Sequence, residues 1–103
     1  MKEGGRLSSS SIVFLENYNY QNYQGSSFTC EYCESSIEEY ELEHIIPLCL
    51  SGTNDLENLA ISCSKCNRGQ GGKGTLLLDD WKPELAHKIA QRNEKWKIIL
   101  KEQ

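Results

Sequence analysis

Two Cys-x-x-Cys pairs, Cys30/Cys33 and Cys63/Cys66, constrain this chain more than any other feature. Two thiolates three residues apart in a tight turn can aim both sulfurs at one ion, and two such turns complete a tetrahedron. The chain has 103 residues, which suits one compact domain with little apolar surface to bury. A bound zinc ion supplies folding energy where a core is small. A redox dithiol usually sits in a βαβ setting, which is absent here, and paired motifs in a reducing cytosol favour metal over disulfides. Zn2+ held by Cys30, Cys33, Cys63 and Cys66 is therefore expected. The fifth cysteine, Cys49, follows Pro47-Leu48 in an apolar stretch and is read as a small buried hydrophobe. The segment 34–62 between the pairs is longer than a minimal ribbon needs, so a functional insert fits there.

Net charge is −4 and the pI about 5.1, which argues against a protein that coats nucleic acid electrostatically. The charge is uneven. Residues 1–60 carry two basic and ten acidic side chains, and residues 61–103 nine basic and five acidic. If phosphate is bound, the C-terminal part is the expected surface. No apolar run approaches the length of a membrane span, and the start lacks a secretory signal's apolar stretch. A cytoplasmic protein without a membrane partner is expected.

Ser8–Ser11 can cap a helix through Ile12–Glu16 or form a loose lead-in. Phe28-Thr29-Cys30 and Tyr40 to Ile46 read as two short strands joined by a polar loop, with Pro47 ending the second. Asn54 or Asp55 can cap a short helical turn through Leu59, and the second cysteine pair opens a helix over Ser64–Arg68 that the glycines from Gly69 stop. The last segment is the clearest helix, with Pro83 near its start. Leu85, Ile89, Trp96 and Leu100 can share one face, and a packing role is favoured over contact with DNA. The tyrosines 18, 20 and 23 can stack on bases, but a plain core or surface role is the simpler reading.

Of the two histidines, His87 lies in this last helix and receives no function, while His44 ends the second strand beside Glu43. A lone histidine beside apolar residues is more often packing. Its company changes that: the zinc ties the strand carrying His44 to the turn carrying Asn67, so Glu43, His44 and Asn67 can converge. The run His44-Ile45-Ile46-Pro47, then Gly52-Thr53-Asn54, Asn58-Leu59 and Cys63-Ser64-Lys65-Cys66-Asn67-Arg68 resembles the HNH nuclease signature over about Phe28 to Lys73.

The resemblance implies an α+β fold: a small ββα-metal (HNH) domain with a four-cysteine zinc site and flanking helices. Its parts would be an N-terminal flank over 1–27, the zinc-bound core over 28–75 and a C-terminal helix packed on the core over 76–103. It further implies that His44 is the general base, that Glu43 and Asn67 hold a catalytic Mg2+ or Mn2+, and that Asn58 braces the loop and orients His44. A neutral imidazole can take a proton from water near physiological pH, and oxygen ligands suit Mg2+, which keeps several waters. Arg68 and Lys73 would neutralise flanking phosphates. The expected activity is hydrolysis of DNA phosphodiester bonds to 5′-phosphate and 3′-hydroxyl ends. Two departures stand out: Glu43 replaces the family's frequent Asp or His, and Gln70 stands where a lysine is common. One site cuts one strand, so double-strand cutting would need a homodimer or two encounters. The small size and poor electrostatics leave room for a separate targeting partner. The competing readings are a zinc-stabilised nucleic-acid or protein binding module with an inactive HNH site, and a protein-interaction adaptor using the acidic face.

Overall fold

The computed structural model describes residues 9–23 and 27–101. Ser8 of the expected capping cluster lies outside them. Helix α1 (Ser9–Tyr23) is followed by β1 (Phe28–Thr29) and β2 (Ser36–Ile37), then β3 (Glu41–His44). Two 3-10 turns, Leu48–Leu50 and Leu56–Asn58, lead to β4 (Leu59–Ser62). Helices α2 (Ser64–Arg68), α3 (Leu78–Trp81) and α4 (Pro83–Lys101) complete the order. Among the described residues no helix is long and apolar enough to cross a membrane.

The two strands read from the sequence both exist, but they are not partners. β1 pairs antiparallel with β2, Phe28 opposite Ile37. β3 pairs antiparallel with β4, with Glu41 opposite Ser62, Glu43 opposite Ala60 and His44 opposite Leu59. The sequence reading passes over β4. All four of its residues are buried, and a short apolar run without alternation carries no period to identify it. β3, β4 and α2 together form a strand–strand–helix unit, and α2 has the bounds expected for it.

The core has two parts. Cys30, Tyr32, Ile45, Ala60, Cys66, Leu78, Leu85 and Ile89 pack together and include two of the four paired cysteines. Leu15, Leu59, Ile61 and Trp96 pack where α1, β4 and α4 meet. Phe14 and Tyr18 meet Trp96 with ring centroids 5.4 and 5.3 Å away, and these T-shaped aromatic pairs join α1 to α4. Tyr20 is exposed. α1 also holds β1 by a two-point amide contact. Asn19 donates through Nδ2 to Thr29 O at 2.7 Å and accepts from Thr29 N at 2.9 Å.

Leu85, Ile89 and Trp96 are buried along α4 as their spacing suggests, whereas Leu100 is 43% exposed because the core ends a turn before it. Arg92 shares the buried face. Its Nη1 lies 2.7 Å from Glu31 Oε1, and its guanidinium stacks 3.7 Å over the Trp96 ring. The second Glu31 oxygen accepts from Ile61 N at 2.8 Å. One buried carboxylate therefore ties α4, the first cysteine turn and β4 together.

Candidate active site and metal centre

The Sγ atoms of Cys30, Cys33, Cys63 and Cys66 all lie within 4.8 Å of one another. The Cys33 and Cys63 sulfurs are 3.8 Å apart. A tetrahedral ion with bonds of about 2.3 Å sets its sulfurs about 3.8 Å apart, so the group fits a zinc site. Each pair closes on itself, with Cys33 N donating to Cys30 Sγ at 3.5 Å and Cys66 N to Cys63 Sγ at 3.4 Å. The first turn needs a left-handed residue, supplied by Glu34 at φ 65°.

The four thiols differ in their ease of ionisation. Burial raises Cys30 and Cys66, and the nearby Cys30 charge raises Cys66 further. Burial also opposes ionisation of Cys33, but hydrogen bonds from Ser35, then from Cys30 and Cys66, outweigh it and bring that thiol to about 6. Four thiolates this close repel one another, and a divalent cation relieves the repulsion. Cys49, expected to be buried, is exposed. It sits on the Leu48–Leu50 turn, whose residues face outward.

That turn forms one wall of a cleft of about 310 Å³ across the end of β3, lined by Glu43, His44, Leu48, Cys49, Asn67 and Thr75. Asn67 therefore shares this shallow, open cleft with Glu43 and His44 although it is far from them in sequence. His44 Nε2 lies 2.7 Å from Asn54 Oδ1. A carboxamide oxygen only accepts, so Nε2 donates and the neutral ring keeps its lone pair on Nδ1.

Asn58 is buried and fastens the 46–53 loop. Its Oδ1 accepts from Ile46 N at 2.8 Å, and its Nδ2 donates to Ile46 O at 3.1 Å and Thr53 O at 2.8 Å. Bracing of the loop is the role expected of Asn58. The ring of His44, however, is held by Asn54. Gly52 lets the loop close, because a Cβ there would collide with the Ile46 carbonyl.

Asn67 donates through Nδ2 to Glu41 Oε1 at 2.8 Å. Its donor side is thereby occupied and its oxygen is left to accept or to ligate. The same Glu41 grips Arg68 with Nη2 at 2.7 Å and Nε at 2.9 Å from Oε2. Those bonds, and then the one from Asn67, hold the Glu41 carboxyl below its ordinary range. Arg68 remains 72% exposed, on the surface as expected.

Glu43 is 4% exposed, and its Oε2 lies 2.7 Å from Lys73 Nζ and 3.3 Å from the Tyr32 hydroxyl. Burial, and then the charge of Glu43, push the Tyr32 phenol well above its ordinary value, so it stays a donor. Lys73, expected among surface phosphate contacts, has a fully buried side chain that also donates to His44 O at 3.2 Å. The glycine-rich loop folds back over α2, with Lys73 N bonded to Cys66 O at 2.7 Å, and this carries Lys73 inward. One carboxylate and one carboxamide oxygen are hard donors of the kind Mg2+ takes, and here the carboxylate is already paired with Lys73.

Sequence reasoning misses Asn54, Glu41 and the Lys73–Glu43 pair. In the sequence Asn54 reads as a turn or cap residue within the Gly52-Thr53-Asn54 run, and Glu41 as one more acidic side chain of residues 1–60. Nothing local marks the third. Residues 30–73 match the family model described as HNH endonuclease. No curated protein and no solved structure matches the chain.

Proposed function

We propose, from the match of residues 30–73 to the HNH endonuclease family, that the cleft hydrolyses DNA phosphodiester bonds with His44 as general base. One observation carries this reading: the His44 ring is fixed by Asn54 at 2.7 Å in the same cleft as Glu43 and Asn67.

With Nε2 donating to Asn54, Nδ1 of the neutral imidazole takes the proton of the attacking water. The water oxygen bonds to phosphorus as the bond to the 3′ oxygen breaks, and that oxygen takes a proton from solvent, leaving a 5′-phosphate and a 3′-hydroxyl. Glu43 and Asn67 would hold a single Mg2+ or Mn2+, which supplies charge neutralisation at the scissile phosphate and the leaving oxygen. Asn58 keeps the loop that bears Asn54 in place, so the imidazole loses little orientation between turnovers. Glu41 holds the Asn67 amide with its oxygen free. Arg68 stands exposed beside this group and is the cation suited to a flanking phosphate. A single cleft cuts one strand per encounter, so double-strand cutting requires a homodimer or a second binding event. A separate targeting partner fits the small size and the net charge of −4.

The test is a nicked-product analysis. Duplex DNA cut in Mg2+ or Mn2+ is treated with DNA ligase, which seals only 5′-phosphate and 3′-hydroxyl ends. Resealable nicks that disappear with EDTA are expected. Nicks that form in EDTA, or that cannot be sealed, contradict the mechanism.

A binding module without catalysis is the second reading. It is favoured by the burial of Lys73 and the net charge of −4, which weaken the attraction for phosphate. Salt-sensitive DNA binding without cleavage in any divalent ion would establish it.

A further inference from the structure

A lysine with no exposed side-chain surface is uncommon, and this one lies against a carboxylate that lines the cleft. Lys73 Nζ is 2.7 Å from Glu43 Oε2 and 3.2 Å from His44 O. Buried there, the ammonium is not a surface cation for phosphate. Its charge nevertheless acts on the cleft, because burial removes the water that would screen it.

The charges around the candidate ligands cancel in pairs. Glu43 is neutralised by Lys73, and Glu41 by Arg68. The Tyr32 hydroxyl lies 3.3 Å from Glu43 Oε2. Asn67 is an uncharged carboxamide, and His44 is neutral when it acts as a base. By itself the cleft thus offers a divalent cation two oxygen ligands with no net negative charge. Divalent-ion affinity rises with the ligand charge count, and Mg2+ sheds its waters reluctantly.

We infer that Lys73 is a positioning residue that keeps the DNA-free cleft weak for divalent cations, so that the ion is retained only together with a nucleic-acid phosphate. This rests on the nuclease reading above. The phosphodiester supplies the missing negative charge and oxygen ligands. Cation and substrate then bind with positive cooperativity, and by linkage each tightens the other by the same factor.

The test uses the full chain, zinc-loaded, with Mn2+ as the probe and free Mn2+ counted by electron paramagnetic resonance. The parent carries His44→Ala so that a duplex oligonucleotide stays intact, and binding is taken as the difference from the same protein with Asn67→Ala. Mn2+ is expected to bind the parent at least about tenfold more tightly with the oligonucleotide than without. Adding Lys73→Met should tighten the DNA-free affinity by at least about tenfold and shrink the effect of DNA. Structural damage loosens a metal site, so a gain in affinity separates the charge from a packing role. Unchanged or weaker Mn2+ binding in a folded Lys73→Met protein overturns the inference. So does equal affinity of the parent with and without DNA, and that comparison decides alone if Lys73→Met fails to retain zinc and native circular dichroism. If wild-type protein nicks plasmid while its Mn2+ affinity ignores DNA, only this inference falls. If it neither nicks plasmid nor binds Mn2+, the nuclease reading falls with it.

Discussion

The His44 ring is held by a residue ten positions away, and Asn54 is therefore the side chain whose loss separates orientation from proton transfer. Removing a hydrogen-bonding partner of this kind typically costs about 10- to 100-fold in activity. Asn54→Ala should slow nicking by that amount and leave DNA affinity unchanged, as read from single-turnover rates and a binding titration. Unchanged rates would mean that the ring needs no help. Glu41 gives a second residue-scale outcome. Its folded pKa is depressed by Arg68 and then Asn67, so its stabilisation is present above the ordinary carboxylate value of 4.5 and is lost as pH falls. The Tm difference between wild type and Glu41→Gln should be largest near neutral pH and shrink toward pH about 3. A difference that widens on acidification contradicts the pairing. Glu43, His44 and Asn67, which line the cleft, are legible in the sequence through the resemblance to the HNH signature. Asn54 is not, since an asparagine in a Gly-Thr-Asn-Asp loop has a sufficient turn role of its own.

The elements are tied by one ion pair more than by their own propensities. Glu31 and Arg92 are 6% and 7% exposed, and together they bridge the first cysteine turn, β4 and α4. Removing one partner leaves a buried charge uncompensated, at a cost of about 3–5 kcal/mol. Glu31→Gln should lower stability by roughly that much in a denaturant titration, whereas Glu94→Gln, whose partner Lys97 is exposed, should change it little. Equal effects of the two would show that burial does not govern the pair. α2 and α4 are readable from caps, proline and apolar spacing. The pairing of β1 with β2 and β3 with β4 is not, because two-residue strands carry no period and β4 is buried along its whole length. The inward turn of Lys73 is likewise a consequence of the backbone return from Gly69 to Gly74, which joins Lys73 N to Cys66 O. A glycine-rich loop does not announce its direction.

For the whole molecule, the cysteine group and the cleft are one assembly: Cys66 and Asn67 are neighbours on α2, and Asn67 N donates to Cys63 O at 3.1 Å. Chelating the zinc should therefore unfold the strand–strand–helix unit and abolish nicking together, seen as parallel losses of circular dichroism and activity. Nicking that survives full zinc removal would uncouple the two sites. The charge imbalance between the two parts of the chain is readable at this scale. Which cations reach the surface is not, since that depends on packing: Arg68 does and Lys73 does not.

The central claim is that His44 drives metal-dependent strand cleavage. The most direct test is the nicking rate of supercoiled plasmid in Mg2+ by zinc-loaded wild type and His44→Ala, beside an EDTA control. The expected result is nicking by wild type, none in EDTA, and a loss of at least about 100-fold in the variant. Equal rates for the two proteins would contradict the claim and remove His44 from the reaction.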